Sequence, residues 1–327
     1  AADRAPTPNL DSQVAARKMV DHGIALRRRG LVDEAARQYE AALMLAPDMV
    51  EALHNLGVAR RGQGRLEDAA QCWRRALELR PGLAEARNNL GSALLELGRP
   101  TEAIEQHRRV LVDNPRSLAA LVNLGNALRQ TGEPEQAEAN YQHALAIQPG
   151  DPTVLANLAL VQQDRGQLAE AEATLRRAIA ANPDHAEAQR SLGMLLLLQG
   201  RFAEGWNAYA WRWRTQRQQR RAFGCPTWEG QDVRGKTVLL HAEQGLGDTI
   251  MACRLASVVA ARGATVVLEV QPSLVKLLQG LFDVAQVDVL KGPQALFFGK
   301  NSPAGVISIR SAGPTRDFEG YTRAGCE

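Results

Sequence analysis

Apolar residues recur at helical spacing along most of this chain, and the pattern itself repeats. In residues 51–81, EALHNLGVARRGQGRLEDAAQCWRRALELRP, the residues Leu53, Leu56 and Val58 mark one amphipathic helix. Ala69, Ala70, Trp73, Ala76 and Leu77 mark a second. Gln63-Gly64-Arg65 breaks the period between them and predicts a turn. Aligned on Gly57, a small residue returns every 34 residues, at Gly23, Gly91, Gly125, Ala159 and Gly193. A second small position keeps step at Ala35, Ala69, Ala103, Ala137 and Ala171, and becomes Gly205 in the sixth copy. Pro47, Pro81, Pro115, Pro149 and Pro183 close the first five copies. A fixed period of this length predicts a solenoid, because one helix pair cannot bury its own apolar face and must stack on the next. The small residues allow close helix contact, Trp73 and Leu77 fill the remaining space, and Pro81 suits the first turn of the following helix.

This pattern of small, aromatic, alanine and proline positions resembles the tetratricopeptide repeat family over residues 16–217. The resemblance implies a mainly α fold, a right-handed α-α superhelix of six antiparallel helix pairs. Its concave groove would be lined by the first helix of each pair. Two residues before the small position stands an asparagine in the inner copies: Asn55, Asn89, Asn123 and Asn157. Asp21 and Ser191 replace it in the outer ones. An asparagine amide both donates and accepts, so it can hold a peptide backbone without reading side chains. It can equally bridge neighbouring helices. A similar asparagine ladder lines the repeat groove of O-GlcNAc-transferase-like proteins and holds peptide there, so the resemblance implies peptide binding at these four residues.

The sixth copy departs from the others. It carries Met194, Leu197 and Leu198 on its groove side, where earlier copies have Arg27, Arg61, Gln130 or Asp164. Apolar residues at that end predict a cover, and residues 202–221, FAEGWNAYAWRWRTQRQQRR, are a candidate. Trp206, Tyr209 and Trp213 stand at helical spacing and predict one aromatic stripe packed in the core. The five arginines from Arg212 to Arg221 are read as a solvated helix end rather than a nucleic-acid patch.

Beyond a linker at 218–235 anchored by Trp228, the pattern changes. Gly230 to Thr237, GQDVRGKT, matches the letters of a phosphate loop, but a strand follows it instead of preceding it. Triphosphate binding at Lys236 is therefore set aside. The strand KTVLLHAE runs into a loop, Gly245-Leu246-Gly247-Asp248, then a helix from Thr249 and a strand ATVVLEV, which together predict a βαβ unit. The glycines let a ligand approach the backbone, and amides at the helix start favour an anion. The longer string WEGQDVRGKTVLLHAEQGLGDTI resembles the start of the glycosyltransferase-like domain that follows tetratricopeptide arrays in bacterial proteins, and WNAYAWRWR is similar to its joining helix. This implies a partial Rossmann-like fragment at 236–280, an anion or acceptor loop at Gly245, Leu246 and Gly247, and Asp248 as an acceptor-side catalytic acid. Asp248 also reads as a helix cap. The forty-nine residues after Leu278 are expected to be too few for the rest of such an enzyme, so the fragment reads as vestigial. Residues 281–327 contain VDVLKGPQALFFGKNSPAGVISI, which resembles the plug of TonB-dependent receptors, with a gene join expected near residue 280. Strands at Val287–Leu290 and Val306–Ile309 are expected to pair with the exposed βαβ strands.

Composition narrows the remaining choices. A chain of 327 residues predicts two or more domains, and 23% charged with 45% hydrophobic residues fits a soluble protein. Residues 1–15, small, polar and proline-containing, predict a flexible lead-in. A net charge of +3 does not argue for nucleic acid. Cys72, Cys225, Cys253 and Cys326 are scattered without a CxxC pair, which predicts reduced thiols and a cytoplasmic location. The six histidines show no metal-ligand spacing, no apolar run is long enough to span a bilayer, and no signal peptide is read at the start. The expected function is a peptide-binding interaction module with no cofactor and no metal. The alternative is a glycosyltransferase using a nucleotide sugar, and a second alternative, resting on the tail alone, is an outer-membrane transport-associated protein.

Overall fold

The computed structural model describes residues 10–215, 226–228, 230–243 and 245–279, together with the backbone of two further strands, 287–291 and 307–312. The chain divides into two units, Ala1–Gln219 and Arg220–Glu327.

The first unit is a run of helix pairs. The pairs are α1 (Leu10–Arg28) with α2 (Val32–Leu45), α3 (Val50–Gly62) with α4 (Leu66–Leu79), and α5 (Ala84–Glu96) with α6 (Pro100–Asp113). They continue as α7 (Leu118–Gln130) with α8 (Pro134–Ile147), α9 (Pro152–Asp164) with α10 (Leu168–Ala181), and α11 (Ala186–Leu198) with α12 (Phe202–Tyr209). Each helix packs on its partner and on the helix that opens the next pair, so the apolar faces form continuous layers along the stack.

The small residue of each first helix is explained by the ring opposite. A Cβ at Gly57 would lie 2.6 Å from the buried Trp73 ring, and one at Gly125 2.7 Å from Tyr141. Gly23 faces Tyr39 and Gly91 faces His107 in the same way. In the fifth pair the volumes are exchanged: Ala159 supplies the extra methyl and Leu175 replaces the ring, both buried. Turns within the pairs use a second glycine, at Gly30, Gly64, Gly98, Gly132, Gly166 and Gly200, with φ between +73° and +80°. At Gly64 the chain closes with Gly64 N–H donating to Arg61 and Arg65 N–H to Arg60, the paired bonds of a left-handed helix stop.

Several expectations need correction. Leu10–Ala15 belong to α1, so only residues 1–9 of the expected flexible lead-in fall outside the described residues. The repeat prolines sit between pairs rather than in the next helix. Pro81, for example, follows α4 and precedes α5 by three residues. The aromatic stripe breaks because α12 stops at Tyr209 and tightens into a 3-10 helix, Ala210–Arg214. Tyr209 is buried with its backbone rather than its ring against Gly193, Trp206 is 42% exposed, and Arg212 lies over the Tyr209 and Trp213 rings at 4.9 and 4.1 Å.

The second unit is a four-stranded sheet in the order β3-β2-β1-β4, with β1 Thr237–Ala242, β2 Thr265–Val270, β3 Val287–Lys291 and β4 Ile307–Ala312. The expected βαβ unit is present: β1 and β2 are parallel, joined through α13 (Leu246–Cys253) and α14 (Leu255–Ala260). The expected single helix is thus interrupted at Arg254. A short helix, α15 (Val275–Gln279), leads towards β3, which pairs parallel to β2, while β4 pairs antiparallel to β1. The two tail strands therefore belong to the same sheet as the βαβ strands. Trp228 and Val233, read as linker, pack on this unit's core. The residues around the expected join at 280, and the plug-like segment apart from the two strand backbones, lie outside the described residues.

Candidate binding groove

The first helices of the opening pairs border an open groove of about 1690 Å³, lined among others by Arg17, Glu51, His54, Asn55, Arg61 and Asn89. These residues share a register. In the second copy the second, fifth, sixth, ninth and twelfth residues, Glu51, His54, Asn55, Val58 and Arg61, all line the groove, and the 34-residue period brings Arg17, Arg27, Glu85 and Asn89 to the same side in the flanking copies.

Charged residues along this face are joined from one first helix to the next. Arg17 bonds Glu51, Arg61 bonds Glu96, and Arg129 bonds Asp164, each about one repeat apart. His54 Nε2 lies 3.4 Å from Glu85 Oε1. These pairs are largely exposed, so each contributes on the order of 0–1 kcal/mol to stability. Their effect is to consume most of the charge that the groove would otherwise offer a ligand.

The four asparagines do not behave alike. Asn55 is only 9% exposed and donates from Nδ2 to the Glu51 carbonyl of its own helix, at 2.9 Å. Asn123 bridges to the preceding copy, with Nδ2 donating to Ser92 Oγ at 3.1 Å and to Asn88 Oδ1 at 3.3 Å. Asn89 and Asn157 are half-buried and make no hydrogen bond to another described residue. The ladder therefore holds two engaged amides and two open ones.

At the far end, Met194 and Leu197 are half-buried and Leu198 is 64% exposed. Residues 202–214 do not cover them from the groove side. They form the second helix of the sixth pair and its 3-10 extension, with Leu197 pressed against Gly205 and Phe202 62% exposed. Residues 216–221, which carry three of the five arginines, lie outside the described residues.

In the second unit, Gly245 is the residue before α13, and Leu246 and Gly247 are its first two residues. Asp248 is third and half-buried, an acidic residue in the first turn that makes no capping hydrogen bond to a described residue. Lys236 is exposed and precedes β1, with no helix after the GQDVRGKT letters. Sequence reading missed three polar residues that β1 and β2 bury at their carboxyl ends: His241, Glu243 and Glu269. His241 and Glu269 are register partners, and His241 Nε2 is 3.6 Å from Glu243 Oε1. The signal was available, since a histidine and a glutamate interrupt two otherwise apolar strands.

Among the described residues no group of His, Cys, Asp or Glu side chains has the arrangement to hold a metal ion, and no helix is long and apolar enough to cross a membrane. Cys72 is half-buried and Cys253 buried, both as free thiols whose burial raises their pKa above the ordinary value.

Stacked helix pairs at a constant 34-residue translation define a helical repeat solenoid. Family models for the tetratricopeptide repeat match residues 48–112, 88–152 and 128–195, so this stretch is built of tetratricopeptide repeats. The chain is similar to the crystal structure of PilW, a type IV pilus biogenesis factor, with a TM-score of 0.56 and 23% identity. That match covers 63% of this chain and 94% of the other. It is also similar to a tetratricopeptide repeat protein from Parabacteroides merdae, with a TM-score of 0.54 and 21% identity over 60% of this chain and 77% of that one. At these identities the likeness establishes the fold. Protein FlbA of Caulobacter vibrioides is 44% identical over 59 residues, which is 17% of this chain. The match spans only 10% of that relative's length.

Proposed function

We propose that this chain is a protein-interaction module whose repeat groove binds an extended peptide through the asparagine ladder. The observation that carries this reading is the register. Asparagine recurs at the same repeat position on four successive first helices, and Asn89, which makes no hydrogen bond to another described residue, lines the open groove beside Asn55. An extended backbone presents a donor and an acceptor at every residue, which matches what an open amide offers. No cofactor or metal enters this reading.

The test is to select binders from a displayed random-peptide library and measure them by fluorescence anisotropy. Replacing Asn55, Asn89, Asn123 and Asn157 with Ala is expected to cost about 1–3 kcal/mol, roughly fivefold to 150-fold in affinity, through Asn89 and Asn157, the two amides not engaged in the fold. Unchanged affinity in the four-Ala variant would remove the ladder as a binding site.

A second reading is favoured by the parallel βαβ unit with its glycine loop at the start of α13. In it, the second unit is a glycosyltransferase-like fragment and Asp248 a base towards a sugar acceptor. Calorimetry with a panel of nucleotide sugars tests it. Micromolar binding lost on Asp248→Ala supports catalysis, and absence of heat with every donor leaves the fragment without that activity.

A further inference from the structure

The helices that join β1 to β2 pack inward through one side. Thr249, Ala252, Cys253, Ala256, Val259 and Ala260 are buried, the last four in the core with Val238, Leu240, Val266 and Leu268. A helix at the surface ordinarily turns polar residues outward, as α4 does with Gln71, Arg75 and Glu78. The outward side of α13 and α14 instead carries Leu246, Ile250, Met251, Leu255 and Val258, each 41–52% exposed. Arg254, between the two helices, has helical dihedrals, φ −54° and ψ −25°, so the helical spacing runs on through it. Met251, Leu255 and Val258 therefore stand at i, i+4 and i+7 in one stripe, bordered by Ile250.

Five such side chains expose on the order of 450 Å² of apolar surface, the scale of a patch that marks an interaction site. Two charges stand beside the stripe, Asp248 and Arg254, three residues either side of Met251, and neither is in an ion pair among the described residues. Gly247 and Leu255 lie four residues either side of it. A Cβ at Gly247 would meet nothing within 4 Å, so the space over this residue is open. The stripe is thus complementary to itself. Two copies set antiparallel about a two-fold axis at Met251 bring Arg254 of each to Asp248 of the other, and Leu255 of each over the other's Gly247.

We propose that the chain associates as a two-fold dimer through α13 and α14, with a second copy covering this apolar face. Apolar side chains of the two copies then account for about 900 Å² of buried surface, most of the roughly 1,200 Å² at which specific interfaces begin, and the flanking polar residues supply the remainder. An association of modest strength is expected. It does not depend on the repeat groove.

Sedimentation velocity of the full chain, at protomer concentrations spanning roughly a hundredfold, tests this. A monomer–dimer equilibrium is expected. Met251→Glu, at an exposed position, is expected to leave the thermal melt unchanged and the chain monomeric throughout. Arg254→Asp is expected to weaken association by roughly tenfold or more, because carboxylate then faces carboxylate across each contact. Adding Asp248→Arg to that variant exchanges the charges and is expected to restore most of the loss. If Met251→Glu melts early, the charge exchange alone decides. A monomer at every concentration overturns the inference, whether another protein or the chain's own first unit covers the face. A dimer unaffected by Met251→Glu places the contact elsewhere and overturns it too. A dimer lost in Arg254→Asp and not regained on charge exchange overturns the antiparallel pairing and with it the proposal.

Discussion

At the scale of single residues, the fold is governed by what each ring slot holds. Ala159 and Leu175 occupy a slot where four other pairs place glycine against a large ring, so volume is conserved while its distribution changes. Leu175→Tyr alone is expected to lower stability by about 1–3 kcal/mol, because the new ring meets the Ala159 methyl. Adding Ala159→Gly should recover most of that loss, and urea unfolding of the two single variants and the double measures the coupling. Additive losses would mean the slot does not pack as described. His107 fills the same slot in the third pair, fully buried with both ring nitrogens unpartnered, and burial pushes its pKa down to about 4. The folded chain therefore binds this proton more weakly than the unfolded chain, whose histidine titrates near 6.5. Stability from this group is complete above about pH 6.5 and falls as pH drops towards 4, by about 3 kcal/mol in all. His107→Tyr, which copies the Gly125–Tyr141 slot, should flatten the urea midpoint between pH 7 and 4.5 relative to wild type. An unchanged pH dependence would contradict the assignment.

At the scale of elements, the helix pairs were legible because every copy restates the same constraints. Gly57 and Trp73, Ala69 and Leu77 were read as close-contact and filling positions, and the structure buries them so. The sequence predicts a turn at Gly64 in one copy, and the structure adds its left-handed backbone and its recurrence at Gly30, Gly98, Gly132, Gly166 and Gly200. That recurrence carries the sharper prediction. Gly98 has φ +73° and open space around its Cβ direction, so Gly98→Ala should cost about 1 kcal/mol from backbone strain alone. Thermal unfolding would register this as a drop of a few degrees. The ion pairs between first helices invite a larger estimate than they merit. Arg61→Met and Arg129→Met should each cost less than about 1 kcal/mol, and losses well above the glycine variant would show the ladder to be structural. What the repeat pattern could not disclose is how each asparagine is used. Asn55 turns to its own helix and Asn123 to Ser92 and Asn88, choices set by neighbours that differ between copies. The end of α12 was also illegible, because the aromatic spacing continues past Tyr209 while the backbone tightens.

At the scale of the whole molecule, two units with different physics share the chain. The first is held by nearest-neighbour contacts along a stack, and the second by a sheet that joins strands far apart in sequence. The βαβ order was legible from strand, glycine loop and helix. The buried His241, Glu243 and Glu269 were not, since apolar patterning alone does not show which strand ends are enclosed. The proposed binding function lies in the stack and turns on the open amides. The most direct measurement compares two double variants against a library-selected peptide, by anisotropy and by thermal unfolding. Asn89→Ala with Asn157→Ala removes the amides that bond to nothing described, and should weaken binding by about 1–3 kcal/mol, roughly fivefold to 150-fold, with the melting temperature nearly unchanged. Asn55→Ala with Asn123→Ala removes amides already engaged in the fold, and should lower the melting temperature. The opposite allocation, with stability lost in the Asn89 and Asn157 variant and affinity intact, would contradict the account.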